Sequence, residues 1–67
     1  MYKLKWTSVY DIVADLEDKH ADVDILKLSF TKLHDMIVNL ENFADDKDGS
    51  NEKILEAIQM AWIKERE

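Results

Sequence analysis

The side chains of this chain best suited to chemistry are carboxylates, and they fall into two sets. The first is the stretch Asp45-Asp46-Lys47-Asp48-Gly49-Ser50-Asn51-Glu52, where oxygen ligands at alternate positions precede a glycine. An EF-hand calcium loop is built that way, with glycine at position 6 for a sharp turn and a bidentate glutamate at position 12. Setting Gly49 at position 6 puts Asp46 and Asp48 at positions 3 and 5, but it also puts Ala44 at position 1 and Leu55 at position 12. Glu56 misses the last ligand position by one residue, and Leu55 reads as a core residue. The stretch is therefore read as a solvated acidic loop leading into a helix start, not as an EF-hand.

The second set is Asp11, Asp15 and Asp18, spaced i, i+4 and i+7, which places all three on one face of a helix. Asp22 and Asp24 extend the acidic character just beyond it. Two readings stay open at this point. The ridge is either a solvated acidic face, or a docking face for a basic partner and a loose site for a divalent cation. Oxygen ligands alone suit Mg²⁺, Ca²⁺, Mn²⁺ and Fe²⁺ without strongly distinguishing them, so any metal held there is bound weakly. Spacing alone does not decide between partner and ion.

Other chemistry finds little support. The chain has no cysteine, which excludes disulfides, thiolate clusters and a cysteine nucleophile. His20 and His34 form no HxxxH pair, and Ser8, Ser29 and Ser50 read as caps or loop residues rather than nucleophiles. A chain of 67 residues also offers little pocket in which to shift a carboxylate's pKa, so no enzyme is expected.

Fifteen acids against nine bases leave a net charge of −6, a field that repels phosphate backbones and attracts cations or basic protein surfaces. With 46% hydrophobic residues the chain is too apolar to be disordered. No apolar run approaches the ~18 residues that span a bilayer. The stretch Met1-Tyr2-Lys3-Leu4-Lys5-Trp6 lacks the apolar core of a secretory signal. A cytoplasmic protein without a membrane partner is expected, and its acidic surface should keep it monomeric by self-repulsion.

The elements that position the carboxylates follow from apolar periodicity. Val9, Ile12, Val13 and Leu16 make one helical stripe, as do Leu33, Met36, Ile37 and Leu40. A third helix begins after Ser50 or Asn51 and carries Ile54, Leu55, Ile58, Ala61 and Trp62 inward. Thr7 or Ser8 is the expected cap of the first helix, with Asp11 at the capping-box position, and Thr31 the expected cap of the second. Lys19 and His20 close the first helix, and Lys64 and Arg66 the third, favourably for the helix dipole. Phe43 is expected to pin the long loop from Glu41 to Asn51 onto the core. Val23 to Phe30 reads as a short extended piece or a 3₁₀ turn, which Lys3 to Trp6 could join as a minor strand. The fold expected is one mainly α domain over residues 1–67, a three-helix winged-helix-like bundle with at most a minor β pairing. Nucleic-acid binding does not follow from that shape: the second helix offers Lys32 against Asp35 and no arginine to fork onto guanine.

Taken together, Leu4-Lys5-Trp6-Thr7, Phe30-Thr31 with His34, Leu40-Glu41 with Phe43, Asp45-Asp46, and Ser50 to Ile58 followed by Trp62 resemble the IscX family. These are small acidic accessory proteins of bacterial iron–sulfur cluster assembly, and the resemblance covers nearly the whole chain. It implies a non-enzymatic protein that binds the pathway's pyridoxal-phosphate-dependent cysteine desulfurase through an acidic surface and modulates it. It also implies weak iron binding by exposed carboxylates, as a possible supply of iron. Carried onto this sequence, the iron positions fall on Asp11, Asp15, Asp18, Asp45 and Asp46. The docking positions fall on Asp11, Asp15, Asp18, Asp22, Asp24, Glu41 and Asp48. Ala14, Asn42 and Ala44 stand where relatives often carry acids, and Lys47 lies inside the loop, which thins the local field. The alternatives are an iron carrier without docking, or a winged-helix nucleic-acid binder.

Overall fold

A computed structural model of the chain describes residues 3–67, so that Met1 and Tyr2, the start of the stretch read for a signal, lie outside it. Each expected apolar stripe forms a helix: α1 spans Val9–Lys19, α2 Phe30–Val38 and α3 Glu52–Arg66, with a 3₁₀ turn at Ile25–Lys27 between α1 and α2. The protein is mainly α, and among the described residues the β structure is an isolated parallel bridge between Leu4 and Phe43.

The caps explain where the helices begin. Asn51 accepts the Ile54 N–H at 2.9 Å and starts α3 as expected. The cap of α2 is Ser29, not Thr31: its hydroxyl accepts the Lys32 N–H at 3.2 Å, which brings Phe30 and Thr31 inside the helix. Ser8 stands at the N-cap of α1 without capping it, because its hydroxyl accepts from the Lys5 N–H at 3.4 Å instead. The expected capping box with Asp11 is thereby not formed. At the other end α2 stops at Val38, and Leu40, expected on the helix, lies beyond it yet remains buried.

The inward faces of the three helices make one core. Ile12, Val13 and Leu16 of α1 meet Leu33, Met36 and Ile37 of α2 and Leu55, Ile58 and Trp62 of α3, and Leu4, Trp6, Ile25 and Leu40 close the cluster. Phe43 packs against it from the long loop, as its isolated apolar character suggested.

The expected pairing of Lys3–Trp6 with Val23–Phe30 does not occur. Leu4 pairs instead with the long loop, its N–H donating to Asn42 O at 2.8 Å and its carbonyl accepting the Ala44 N–H at 2.9 Å. The physical reason is that the carbonyls of the other segment have partners already. The Gln59 amide donates to Ile25 O and Leu28 O at 3.0 and 3.4 Å, and Arg66 donates to Val23 O.

Candidate functional site

Helix α1 buries Ile12, Val13 and Leu16, and its 3.6-residue period then fixes where its carboxylates go. Asp11 and Asp18 stand exposed and Asp15 is half-buried on the flank of the ridge. Lys19, the base of this helix, follows Asp15 by four residues. Among the described residues no hydrogen bond or ion pair engages the carboxylates of Asp11 or Asp18. Asp18 also joins Ala14, Glu17, Ala21 and Glu65 in lining a shallow groove, so α3 adds an acid that the reading of α1 alone did not include. Tyr10, 82% exposed on the neighbouring face, is a further residue that the sequence did not single out.

Beyond the ridge Asp22 and Asp24 are exposed, and Asp24 caps the 3₁₀ turn by accepting the Leu26 N–H at 3.2 Å. Between ridge and turn sits Arg66, whose role exceeds the dipole contact expected of it. Its guanidinium forks onto Glu17, with Nη2 at 2.8 Å and Nε at 3.1 Å from Oε1, and also reaches the carbonyls of His20 and Val23. It lies 5.3 Å from the centre of the Trp62 ring. The hydrogen bond from Arg66 holds the Glu17 carboxyl below its ordinary range, against the opposing effect of its partial desolvation. The Trp62 indole N–H has no partner in hydrogen-bond geometry, yet it lies near enough to Glu17 to favour the ionised form weakly. No sequence pattern announces this pair, since 49 residues separate its members.

The acidic loop is organised around Trp6, which is 3% exposed. Asp45 accepts the Trp6 N–H through Oδ2 at 3.1 Å and the Asp46 N–H through Oδ1 at 2.8 Å. Asp46 accepts the Asp48 N–H at 2.9 Å, while its carbonyl accepts the Trp6 indole N–H at 2.6 Å and the Gly49 N–H at 3.0 Å. The Trp6 ring stacks on His34 at 5.6 Å and meets the edge of Phe43 at 4.9 Å. His34 Nε2 is 2.7 Å from the Lys47 carbonyl, a pure acceptor, so this nitrogen carries the proton. Gly49 is favoured by proximity rather than by dihedral angle: a Cβ there would stand 3.2 Å from the Trp6 ring and from the Asp46 carbonyl, so one of them would have to shift by a few tenths of an ångström. Leu55, at the twelfth position of the calcium alignment, is a core residue at 7% exposure. Glu41, at the start of the long loop, and Asp48, within its acidic stretch, stand exposed.

The five residues expected to hold iron thus divide between two places, Asp11, Asp15 and Asp18 on α1 and Asp45 and Asp46 in the loop. Among the described residues no three histidine, aspartate or glutamate side chains converge closely enough to hold a metal ion. No helix of the described chain is long and apolar enough to cross a membrane.

Asp45 carries a pH signature. The Trp6 N–H, and second the Asp46 N–H, favour its ionised form and lower its pKa below the ordinary aspartate value, with partial desolvation opposing and Lys5 assisting. On acidification the unfolded chain takes up this proton before the folded one does. The stability that Asp45 contributes is complete above the unfolded pKa of about 3.9 and is lost as pH falls through the lower folded value. Asp45→Asn keeps one acceptor oxygen and loses the other. The variant should be less stable near neutrality and its stability should fall less steeply in acid, read as urea midpoints from about pH 6 to 3. An acid limb identical to that of the wild type would show that Asp45 does not anchor the loop.

The family model described as iron–sulphur cluster assembly matches residues 4–67. An uncharacterized protein of Pseudomonas aeruginosa is 45% identical over 64 residues, covering 96% of this chain and 97% of that protein.

Proposed function

Because the chain belongs to the iron–sulphur cluster assembly family, that of IscX, we propose that it is a non-enzymatic accessory protein which docks on the cysteine desulfurase of that pathway and modulates it. The observation that carries this reading is the α1 ridge. Asp11 and Asp18 face solvent without an intramolecular ion pair among the described residues, and Glu65 widens the acidic groove beside them. Lys19 is the one base on α1 against its carboxylates, and Arg66 is engaged by Glu17 and by two backbone carbonyls, so the ridge stays acidic on balance. A rim of carboxylates of this kind steers a basic surface into contact and suppresses acidic competitors.

Iron enters the reading as weakly held cargo. The ridge suits it better than the loop, since both oxygens of Asp45 already accept backbone N–H groups. Oxygen ligands without a closed cage bind hard and borderline cations with modest affinity and fast exchange.

Calorimetry with the cognate desulfurase tests the docking. Binding should be strongest at low salt and weaken about tenfold or more when the ionic strength shortens the Debye length to a few ångströms. No heat at low salt, or an affinity indifferent to salt, would sink the proposal.

A further inference from the structure

At the end of the molecule away from the acidic loop lies an exposed apolar strip that the docking reading does not use. Leu26 is 79% exposed and Met60 62% exposed. Singly, exposed aliphatic side chains call for no explanation. These are joined. Leu26, Ile25 and Ile63 line a shallow cleft of about 220 Å³ between the 3₁₀ turn and the end of α3, and Met60 and Ile63 line the adjoining depression. Ile63 belongs to both, so Leu26, Ile63 and Met60 run as one strip.

Leu26 is presented by its surroundings rather than left over. Ile25 takes the inward position of the 3₁₀ turn and is buried. Asp24 holds the Leu26 N–H, and the Gln59 side chain ties the carbonyls of Ile25 and Leu28 to α3. The turn is fixed from both sides, and Leu26 points away from the core.

The rim of the strip states what fits it. Asp24 and Glu67 border the cleft, and Asp22 lies close enough to act electrostatically on Arg66. Arg66 also borders it, but its charge is paired with Glu17, so the exposed Lys27 at the end of the 3₁₀ turn and Lys64 beside Met60 are set against Asp22, Asp24 and Glu67, and the rim stays acidic on balance. From this we infer that the Leu26–Ile63–Met60 strip is a second docking surface, one that takes a basic protein segment carrying an aliphatic or aromatic side chain. The side chain sits in the cleft and the flanking lysines or arginines meet Asp22, Asp24 and Glu67. A second copy of this chain fits poorly, because its own charge of −6 would face the same acidic rim. An anionic membrane meets the same repulsion.

Two short peptides test this surface without the desulfurase, so the outcome is independent of the α1 ridge. One has a central leucine flanked by lysines, and its twin has serine in place of the leucine. Amide NMR titrations should show the leucine peptide shifting Leu26, Met60 and Ile63 and binding about fivefold tighter than its twin, the worth of partly burying one leucine. Leu26→Ser, at an exposed position that leaves the core intact, should erase that difference, as should Met60→Ser in part. Equal binding of the two peptides, with shifts confined to α1, would overturn the inference. So would concentration-dependent shifts at the strip without peptide, which would mark a dimer contact, or shifts produced by anionic vesicles and not by peptide.

Discussion

Trp6→Ala is expected to lower the free energy of unfolding by about 3–5 kcal/mol, the usual cost of emptying a buried aromatic site. A chain of this size has roughly 3–10 kcal/mol of total stability, so the variant should be largely unfolded or close to it. The expectation rests on more than ring volume. Trp6 is 3% exposed and bonded at both its backbone and indole N–H groups to the loop of Asp45 and Asp46, with His34 and Phe43 on its faces. Removing the ring takes away the surface on which the loop is wound. Trp6→Phe separates the contributions. It keeps most of the apolar contact and leaves the Asp46 carbonyl with the Gly49 N–H alone, for a loss of about 1 kcal/mol. Urea unfolding followed by far-ultraviolet circular dichroism measures both. A loss under about 1 kcal/mol for the alanine variant would remove Trp6 as the organising residue of the loop.

The second large effect concerns affinity and leaves the fold alone. Asp11→Asn, Asp15→Asn and Asp18→Asn combined should weaken binding to the cysteine desulfurase about tenfold or more at low salt, and should flatten its salt dependence. The substitutions keep the shape of each side chain and remove three charges from the ridge, where Asp11 and Asp18 face solvent and Asp15 is half-buried. Relief of the repulsion between like charges at i, i+4 spacing offsets what Asp15 contributes to the fold, so stability should change by less than about 1 kcal/mol. This opposition is diagnostic: Trp6→Ala costs the fold, whereas the triple variant costs the complex. Ferrous iron titrated into the same variant should bind more weakly than to the wild type. Wild-type affinity for the desulfurase in the triple variant would show that the ridge is not the docking face, and unchanged iron binding would clear α1 of a role in holding the metal.

Much of the scaffold was legible in the residues. The stripes Ile12-Val13-Leu16 and Leu55-Ile58-Trp62 became the inward faces of α1 and α3, because helical hydrogen bonds are local and the period alone decides which side chains share a face. Asn51 was legible for the same reason, as its cap bond reaches only three residues ahead. Local reasoning missed where two local options competed. Ser29 and Thr31 are both good caps, and the burial of Leu33, Met36 and Ile37 fits a start at Phe30. The partner of Leu4 was missed because the bridge to Phe43 crosses most of the chain, and nothing in either segment specifies the other.

What the sequence determined by itself was the family resemblance, three helices, and a ridge of carboxylates held outward on the first of them. Only the tertiary structure decided which acids remain available to another molecule. Asp45 and Asp46, which read as ligands, turn toward N–H groups of the chain, and for Asp45 the partner lies 39 residues away at Trp6. Glu17 is likewise taken by Arg66, whereas Asp11 and Asp18 keep facing solvent. The division follows from range. A helix fixes direction through neighbours three and four residues distant, but a loop carboxylate meets its partner only after the core has brought remote segments together.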